Sequence, residues 1–353
     1  MLYSFFFLAL FYPTCLQARP TPPVTTTTST LNRQNFTWSN FGKFLHARKG
    51  SNFSGISELK KYMQRFGYLK LDTNLSSGDN FDDEFQIAVT QYQQKHGLAI
   101  TGKLNSETIS QMTLPRCGVR DTSPPPIFHE IQHYNYFNGK PRWSRAIPTT
   151  LTYAFSPNCM VSNLNFSDIK HAFRRSFSRW SAVIPVNFTE SDFYEFSDIK
   201  IGFYSGDHGD GEPFDGVLGV LAHGFSPESG KLHLDAAETW AMDFESEKSK
   251  VAVDLESVAT HEIGHVLGLA HSFEKDSVMY PSLRPRQKKM DLKVDDIEGI
   301  QQLYGSNPNF NIEALSQSDT SSNQSIDTRI ELRSSRWIIT LAILLIMSII
   351  FKA

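Results

Sequence analysis

The sequence predicts an α+β domain that follows a smaller, all-helical domain. Between residues 56 and 112, apolar residues recur at intervals of three and four, which is the spacing of amphipathic helices. From residue 151 onward the apolar residues first alternate with a period of two, as they do in half-buried strands. The predicted elements then follow in the order strand, helix, several strands, helix, helix, which is typical of α+β domains.

The size and charge of the chain limit the classes of protein to which it can belong. Its 353 residues are enough for two domains of ordinary size. The composition is globular, with 40% hydrophobic and 20% charged residues. Lys and Arg total 34, Asp and Glu total 37, and the net charge is −3. This balance argues against a nucleic-acid-binding protein and against a polybasic membrane binder.

The first 18 residues have the features of a secretory signal peptide. The apolar run from Leu2 to Tyr12 is too short to span a bilayer, and Ala18 ends an imperfect cleavage site. Residues 19–40 are rich in Pro, Thr and Ser, which predicts an extended or disordered lead-in. An extracellular route agrees with six Asn-x-Ser/Thr glycosylation sequons, at Asn35, Asn52, Asn74, Asn165, Asn187 and Asn323.

A second apolar segment occupies residues 331–353. Its apolar core, from Trp337 to Phe351, is shorter than the roughly 20 residues that a membrane-spanning helix needs. A polar stalk, residues 306–330, precedes it, which is the layout of a GPI attachment signal. We therefore expect a GPI anchor at the outer face of the plasma membrane, with a single-pass membrane helix or a soluble tail as the alternatives. The candidate attachment residues are Ser321, Ser322, Asn323 and Ser325.

Residues 41–121 are predicted to form the helical domain. The apolar faces of its first two helices comprise Ile56, Leu59, Met63 and Phe66, followed by Phe81, Phe85, Val89 and Tyr92. A third, short helix is expected from Glu107 to Met112. A run of three prolines at residues 124–126 then lies in a linker, residues 122–148.

Residues 149–305 are predicted to form the α+β domain. We expect strands at 151–155, 199–203, 219–223 and 232–234, and helices at 168–182, 255–267 and 295–304. Ser167 or Asp168 is the expected cap of the first of these helices. Gly268 and Gly305 are expected to end the other two.

The run from His261 to His271 carries the strongest chemical signal. Residues four apart lie one above the other on a helix, so His261 and His265 can bind one metal ion. Gly268 lets the chain leave the helix and bring His271 to the same ion. Three protein ligands leave the fourth position of a tetrahedral Zn²⁺ open, which distinguishes catalytic zinc. Glu262 lies beside that position, where it can act as the general base of a metal-dependent hydrolase.

The third histidine and a later methionine turn, Ser277 to Pro281 with Met279 at its centre, mark the metzincin clan. Within that clan the sequence resembles the matrix metalloproteinases, or matrixins, over about residues 50–305. The resemblance implies a zinc endopeptidase with a twisted, mostly parallel sheet and three helices, and it places Met279 beneath the zinc ligands. It also implies protein substrates with a hydrophobic P1′ residue, bound in a pocket walled by Pro281 and residues 283–293. We expect a monomer.

Residues 115–121, Pro-Arg-Cys-Gly-Val-Arg-Asp, are similar to the cysteine-switch motif of this family. The resemblance implies a latent precursor in which the Cys117 thiolate occupies the fourth zinc position, since thiolate is a strong zinc ligand. Arg120 stands where the family usually has proline, and we expect leakier latency as a result. Activation would follow cleavage in the linker, residues 122–148. A disulfide between Cys117 and Cys159, or an inert thiol, is the alternative.

The resemblance implies two structural ion sites as well. A structural zinc would have four protein ligands, which close its coordination shell and leave no position for chemistry: His208, Asp210, His223 and His233. A structural calcium would bind the carboxylates of Asp215, Asp235 and Glu238 and the carbonyl oxygens of Gly216, Leu218 and Val220. The segment between His223 and His233 is shorter than in many animal members. We therefore do not predict a second calcium ion at Asp198.

The helical domain resembles the peptidoglycan-binding-like propeptide of the family through residues 97–104, and inhibition and folding are its implied roles. We expect no hemopexin-like domain after Gly305, so the chain looks like the plant-type members. Two other functions fit the sequence less well. A catalytically silent surface protein would have lost Glu262 or a histidine ligand, and all are present. A polysaccharide-binding protein would leave the zinc motif unexplained, and would require that residues 41–115 bind cell-wall glycan.

Overall fold

A computed structural model describes residues 38–70, 78–121 and 134–310. The predicted signal peptide, most of the lead-in and of the stalk, residues 122–133 of the linker, and the C-terminal apolar segment lie outside these residues, as do Asn35, Asn74 and Asn323. Among the residues described, no helix is both long enough and apolar enough to cross a bilayer.

The N-terminal domain has three α-helices, as predicted: α1 (Ile56–Arg65), α2 (Asp83–Lys95) and α3 (Ser106–Met112). The side chain of Asp82 caps α2, and that of Asn105 caps α3, by accepting a hydrogen bond from a first-turn backbone N–H. A 3₁₀ helix, Trp38–Phe44, precedes them. The predicted lead-in is therefore wrong for residues 38–40. Trp38 packs edge-on against Tyr62 and Phe66, and burial of its ring favours this ordered turn.

The second domain has a five-stranded sheet. Its strands are β1 (Thr149–Phe155), β2 (Val186–Glu190), β3 (Ile199–Tyr204), β4 (Ala222–Gly224) and β5 (Lys231–Asp235), in the order β2-β1-β3-β5-β4. All pairs are parallel except β4 with β5. Two short strands, β6 (Trp240–Ala241) and β7 (Val253–Asp254), pair separately. With α4 (Phe166–Val183), α5 (Leu255–Val266) and α6 (Val294–Tyr304), this confirms the predicted mostly parallel sheet with three helices.

Three local predictions are corrected by the structure. Strand β2 was missed, because outside Val186 none of its residues is buried and the apolar alternation is weak. The strand expected at 219–223 is instead β4, at 222–224, because residues 219–221 pair with the segment around Arg116. The cap of α4 is Asn165, whose side chain accepts from Ser167 N at 2.8 Å, and not Ser167 or Asp168.

Helix α5 is held from several sides, and every one of its residues is buried. Trp180 of α4 donates its indole N–H to Thr260 O at 2.9 Å, and Trp143 donates to Val266 O at 2.9 Å. The described residues up to Asn307 form one compact unit that includes both domains. The helix that carries the metal-binding motif is therefore held in a fixed position against the sheet, α4 and Trp143.

Candidate active site

Helix α5 and the turn after it bring the three predicted histidines together. Asp254 caps α5, and one turn separates His261 from His265, whose ring centroids are 4.7 Å apart. At Gly268 the backbone has φ +113°, and a Cβ there would lie 2.2 Å from Pro141 O, so only glycine fits. The chain returns from this turn to place His271 with its ring 4.8 Å from that of His265.

Each imidazole is oriented through its Nδ1 atom. His261 donates to Val278 O at 2.7 Å, and His265 donates to Leu269 O at 2.7 Å. His271 donates to the carboxylate of Asp121 at 2.8 Å. These bonds fix the tautomer that leaves the Nε2 lone pair available for a metal ion.

The donor set fits zinc. The Nε2 atoms of His261 and His271 are buried without a hydrogen-bond partner among the described residues. The Cys117 Sγ atom lies 3.4 Å from His265 Nε2, and one ligand atom from each of these four residues lies within 4.8 Å of all the others. Burial lowers the pKa of all three histidines, which keeps them neutral as metal ligands must be. Three imidazoles and one sulfur are a donor set typical of tetrahedral zinc.

Glu262 lies against the same cluster and is fully buried. Burial raises its pKa to about 8, although the Cys117 thiol and the Gly224 backbone N–H act in the opposite direction. Neither carboxylate oxygen has a hydrogen-bond partner of normal geometry among the described residues. A cavity next to Glu262 is lined mainly by apolar side chains, including those of Leu221, Val258, Val278, Tyr280 and Leu283.

The methionine turn packs directly beneath α5. A Cβ on Gly264 would lie only 2.3 Å from the Met279 sulfur, so this approach requires glycine. Asp296 of α6, which the sequence analysis did not single out, holds the turn. Its carboxylate accepts from the Val278 N–H at 2.9 Å, from the Met279 N–H at 3.0 Å and from the Ser277 hydroxyl. Asp296 also accepts from the Lys293 N–H at 2.8 Å as part of a capping box, but its contact with the methionine turn spans 17 to 19 residues and leaves no local sequence pattern.

The switch segment, residues 115–118, lies in the site as an added strand. Cys117 N donates to Pro281 O at 2.9 Å on one side, and Gly118 N donates to Ala222 O at 2.8 Å on the other. Arg116 is buried, stacks 3.6 Å from the Phe66 ring centroid and pairs with Asp121. Cys117 and Cys159 are both free. Arg120 stands where the family motif usually has proline. Its side chain is exposed at a surface pocket beside Val119 and Phe137, so it disturbs no buried contact.

The four residues of the predicted structural zinc site form a second cluster, His208, Asp210, His223 and His233. The Asp210 Oδ2 atom lies 2.8 Å from a ring nitrogen of each histidine. Burial alone would raise the Asp210 pKa, but hydrogen bonds from His223 and His233 outweigh it and hold the pKa below its usual range. Burial lowers the pKa of His223 to about 4, so its imidazole is neutral at pH 7. Three imidazoles around one carboxylate fit a four-ligand zinc site.

The residues of the predicted calcium site form a looser group around the loop after Phe214. Backbone amides of this loop donate to its three carboxylates: Gly216 to Asp235, Leu218 to Glu238 and Val220 to Asp215, at 2.7–3.1 Å. Burial and the neighbouring carboxylates raise the pKa of Glu238 to about 8 and that of Asp235 to about 6. Asp235 and Glu238 are buried and Asp215 is exposed, and a cluster of three carboxylates is suited to a cation that prefers oxygen ligands.

Two further groups of predicted residues can be placed. The sequons at Asn52, Asn165 and Asn187 are all exposed. Asp198, the residue that matches the second calcium site of animal members, pairs with the guanidinium of Arg145 and accepts from the Thr152 N–H at 2.8 Å.

Comparison with known proteins identifies the family. Residues 142–305 match the Matrixin peptidase family, and residues 54–112 match a putative peptidoglycan binding domain. The chain is 51% identical to metalloendoproteinase 1-MMP of Arabidopsis thaliana, over 90% of this chain and 88% of that protein. It is 53% identical to metalloendoproteinase 4-MMP of the same plant, over 82% of this chain and 85% of that protein.

A more distant relative supports the same family assignment. Human neutrophil collagenase is 36% identical over 71% of this chain and 50% of its own length. These similarities agree with the fold and with the three-histidine cluster described above. The chain belongs to the matrixin family, and it is a zinc metalloendopeptidase of the matrixin type.

Proposed function

We propose that this enzyme is made as a latent precursor, that Cys117 holds it inactive, and that after activation it cleaves extracellular or cell-surface proteins. One observation carries the proposal: the buried Cys117 sulfur lies among the three histidines, beside Glu262. A thiol in this position excludes the water that hydrolysis requires. Burial raises the pKa of Cys117, so a thiolate there needs a cation beside it, which zinc would supply.

The chain's own residues define the chemistry. His261, His265 and His271 would hold the catalytic zinc through Nε2. When bound, zinc lowers the pKa of a coordinated water and polarises the scissile carbonyl. Glu262 would accept the proton of the attacking water and pass it to the leaving amine, because its carboxylate lies in the same buried pocket and has no competing hydrogen bond of normal geometry. The apolar cavity at Val258, Val278 and Leu283 would take a hydrophobic P1′ side chain.

The switch segment also suggests how a substrate binds. It pairs on one side with residues 219–222 and on the other with residues 281–283, so its backbone fills a slot between two chain segments. A substrate in extended conformation would use the same unpaired backbone groups once the propeptide has left. Two effects would then keep the precursor inactive. The Cys117 sulfur would occupy the fourth zinc position, and residues 115–118 would block the slot in which the substrate backbone binds.

The proposal is tested by peptide hydrolysis before and after activation by a mercurial or a protease. We expect the uncleaved chain to be nearly inactive, the activated chain to cleave peptides with a hydrophobic P1′ residue, and a zinc chelator to abolish this activity until zinc is restored. Full activity of the uncleaved chain would contradict latency. Failure of the folded, zinc-loaded and activated chain to cleave any peptide of a varied panel would contradict the endopeptidase assignment.

We further propose that the second cluster binds a structural zinc and that Asp215, Asp235 and Glu238 bind calcium. A cation that binds only the folded chain at about 100 times its Kd adds about 2.7 kcal/mol to the free energy of unfolding. For a domain of this size that corresponds to a rise of about 5–10 °C in Tm. We therefore expect calcium to raise Tm relative to a calcium-chelated sample. Asp235→Asn should abolish the rise and the exposed Asp243→Asn should keep it, whereas equal Tm values with and without calcium would refute the site.

We also propose that the enzyme is secreted and attached to the membrane by signals at the two ends of the chain, which lie outside the described residues. The apolar N-terminal segment, the sequons and the polar stalk before an apolar C-terminal segment support a secreted, GPI-anchored enzyme. Treatment of intact cells with a phosphatidylinositol-specific phospholipase C should release the enzyme. Retention in the membrane after this treatment would favour a membrane-spanning helix.

A further inference from the structure

The three histidines of the active site are not oriented in the same way. His261 and His265 donate Nδ1–H to backbone carbonyls of the catalytic domain, those of Val278 and Leu269. These partners stay with the enzyme whatever happens to the propeptide. His271 donates instead to the carboxylate of Asp121, at 2.8 Å, and both side chains are fully buried. Asp121 closes the switch motif and lies before the linker where activation cleavage is expected.

Asp121 is itself held in place. The guanidinium of Arg116 contacts the same carboxylate oxygen, Oδ1, as His271 does. The Tyr68 hydroxyl donates to the other oxygen at 2.8 Å, and the Asp121 backbone N–H donates to Phe66 O at 3.1 Å. These contacts give the carboxylate that faces His271 a fixed position.

When a histidine binds a metal ion through one ring nitrogen, a carboxylate that accepts a hydrogen bond from the other ring N–H fixes the orientation of the ring. It also makes the imidazole a stronger metal ligand. Loss of such a partner typically costs about 10- to 100-fold in metal affinity or activity. Among the described residues, Asp121 is the one hydrogen-bond partner of His271 Nδ1. Inside the catalytic domain, the backbone around His271 is held by Asn135, which accepts from Ala270 N at 2.8 Å and donates its side chain to His271 O at 3.0 Å. These bonds fix the backbone of His271, whereas the orientation of its ring depends on the hydrogen bond to Asp121.

We propose that Asp121 is a positioning residue that the propeptide supplies to His271, and that it makes the latent form hold its zinc more tightly than the activated enzyme does. The inference rests on the proposed zinc ligation by the three histidines and on the proposed latency. Cys117 and Asp121 then act on the same ion in different ways. Cys117 fills a coordination position, and Asp121 strengthens a ligand that both forms of the enzyme use.

The test measures zinc release from the full chain in a Glu262→Gln background, which prevents self-cleavage. Zinc-loaded samples are mixed with a chromogenic chelator, and the cobalt-substituted chain is examined by absorption spectroscopy. We expect Asp121→Asn to release zinc about 10- to 100-fold faster than the parent and to change the cobalt spectrum. Asp83→Asn, which makes the same change at an exposed aspartate of α2, should release zinc at close to the parent rate. Protection of Cys117 from a thiol reagent reports that the propeptide is still docked.

Two results would overturn the inference. The first is an unchanged zinc release rate in an Asp121→Asn chain that still protects Cys117. The second applies if the propeptide of the Asp121→Asn variant no longer docks, and it uses proton NMR of the parent chain. There we expect the ring N–H proton of His271 to be shifted downfield and slow to exchange. Cleavage and removal of the propeptide should abolish both the shift and the slow exchange. An unaltered His271 signal after propeptide removal contradicts the inference. A parent chain that binds no zinc would instead refute the proposed function.

Discussion

Glu262→Gln is expected to lower kcat/KM of the activated enzyme by about 10²- to 10⁴-fold, the usual contribution of a general base. Glutamine has nearly the same shape, but its amide cannot accept a proton at the attacking water. Because Glu262 is not one of the histidine ligands, the zinc content should stay the same. The measurement is steady-state hydrolysis of a fluorogenic peptide, with zinc determined on the same samples.

The matched control for this change is Glu298→Gln. Glu298 is exposed on α6, so it loses the same charge without contact with the site. We expect its kcat/KM to equal that of the unaltered enzyme. A Glu262→Gln enzyme that keeps its zinc and loses less than tenfold in kcat/KM would show that another group accepts the proton.

Cys117→Ser is expected to make the uncleaved chain active. The binding free energy of a structural zinc ion in small peptides is about 10–16 kcal/mol, which for four ligands is about 3 kcal/mol per ligand. A serine hydroxyl is a far weaker ligand than a thiolate, so the open fraction of the precursor should rise by about 10²-fold. The measurement is the initial rate of peptide hydrolysis, taken while the chain is still intact on a denaturing gel.

Cys159→Ser is the control for the loss of a buried thiol. Cys159 is also buried, but it is not part of either cluster of metal-binding residues in the described chain. This variant should remain as latent as the unaltered precursor. If intact Cys117→Ser stays inactive, the strand pairing of residues 115–118 and the Arg116–Asp121 pair would be sufficient for latency, and the thiol would not be required.

The metal-binding motif could be predicted from sequence because its geometry is local. Four residues make about one helical turn, so the order His261, Glu262, His265 fixes which side chains share a face. Gly268 is also a local signal, because a glycine after a helical pattern predicts the end of the helix. The structure agrees, since Gly268 has φ +113°, an angle that is almost always adopted by glycine. The helical period in α1 and α2 and the alternation in β1 and β3 are local signals as well, and they predicted the element order correctly.

Other features depend on residues that are far apart in the chain. Strand β2 forms because it pairs in parallel with β1, although its own apolar alternation is weak. Arg116 is buried because Phe66 and Asp121 surround it, while an isolated arginine in a loop is normally solvated.

The sequence by itself determined the fold class, the three histidines, the glutamate beside them and the cysteine opposite, because each follows from helical spacing or from a short motif. Only the tertiary structure decided what orients those groups. The partners of the three imidazoles are Val278 O, Leu269 O and the Asp121 carboxylate, and Asp296 anchors the methionine turn. Asp121 and His271 are 150 positions apart in the chain. No periodicity encodes such a pair, since it exists only when the propeptide packs against the catalytic domain and buries both groups.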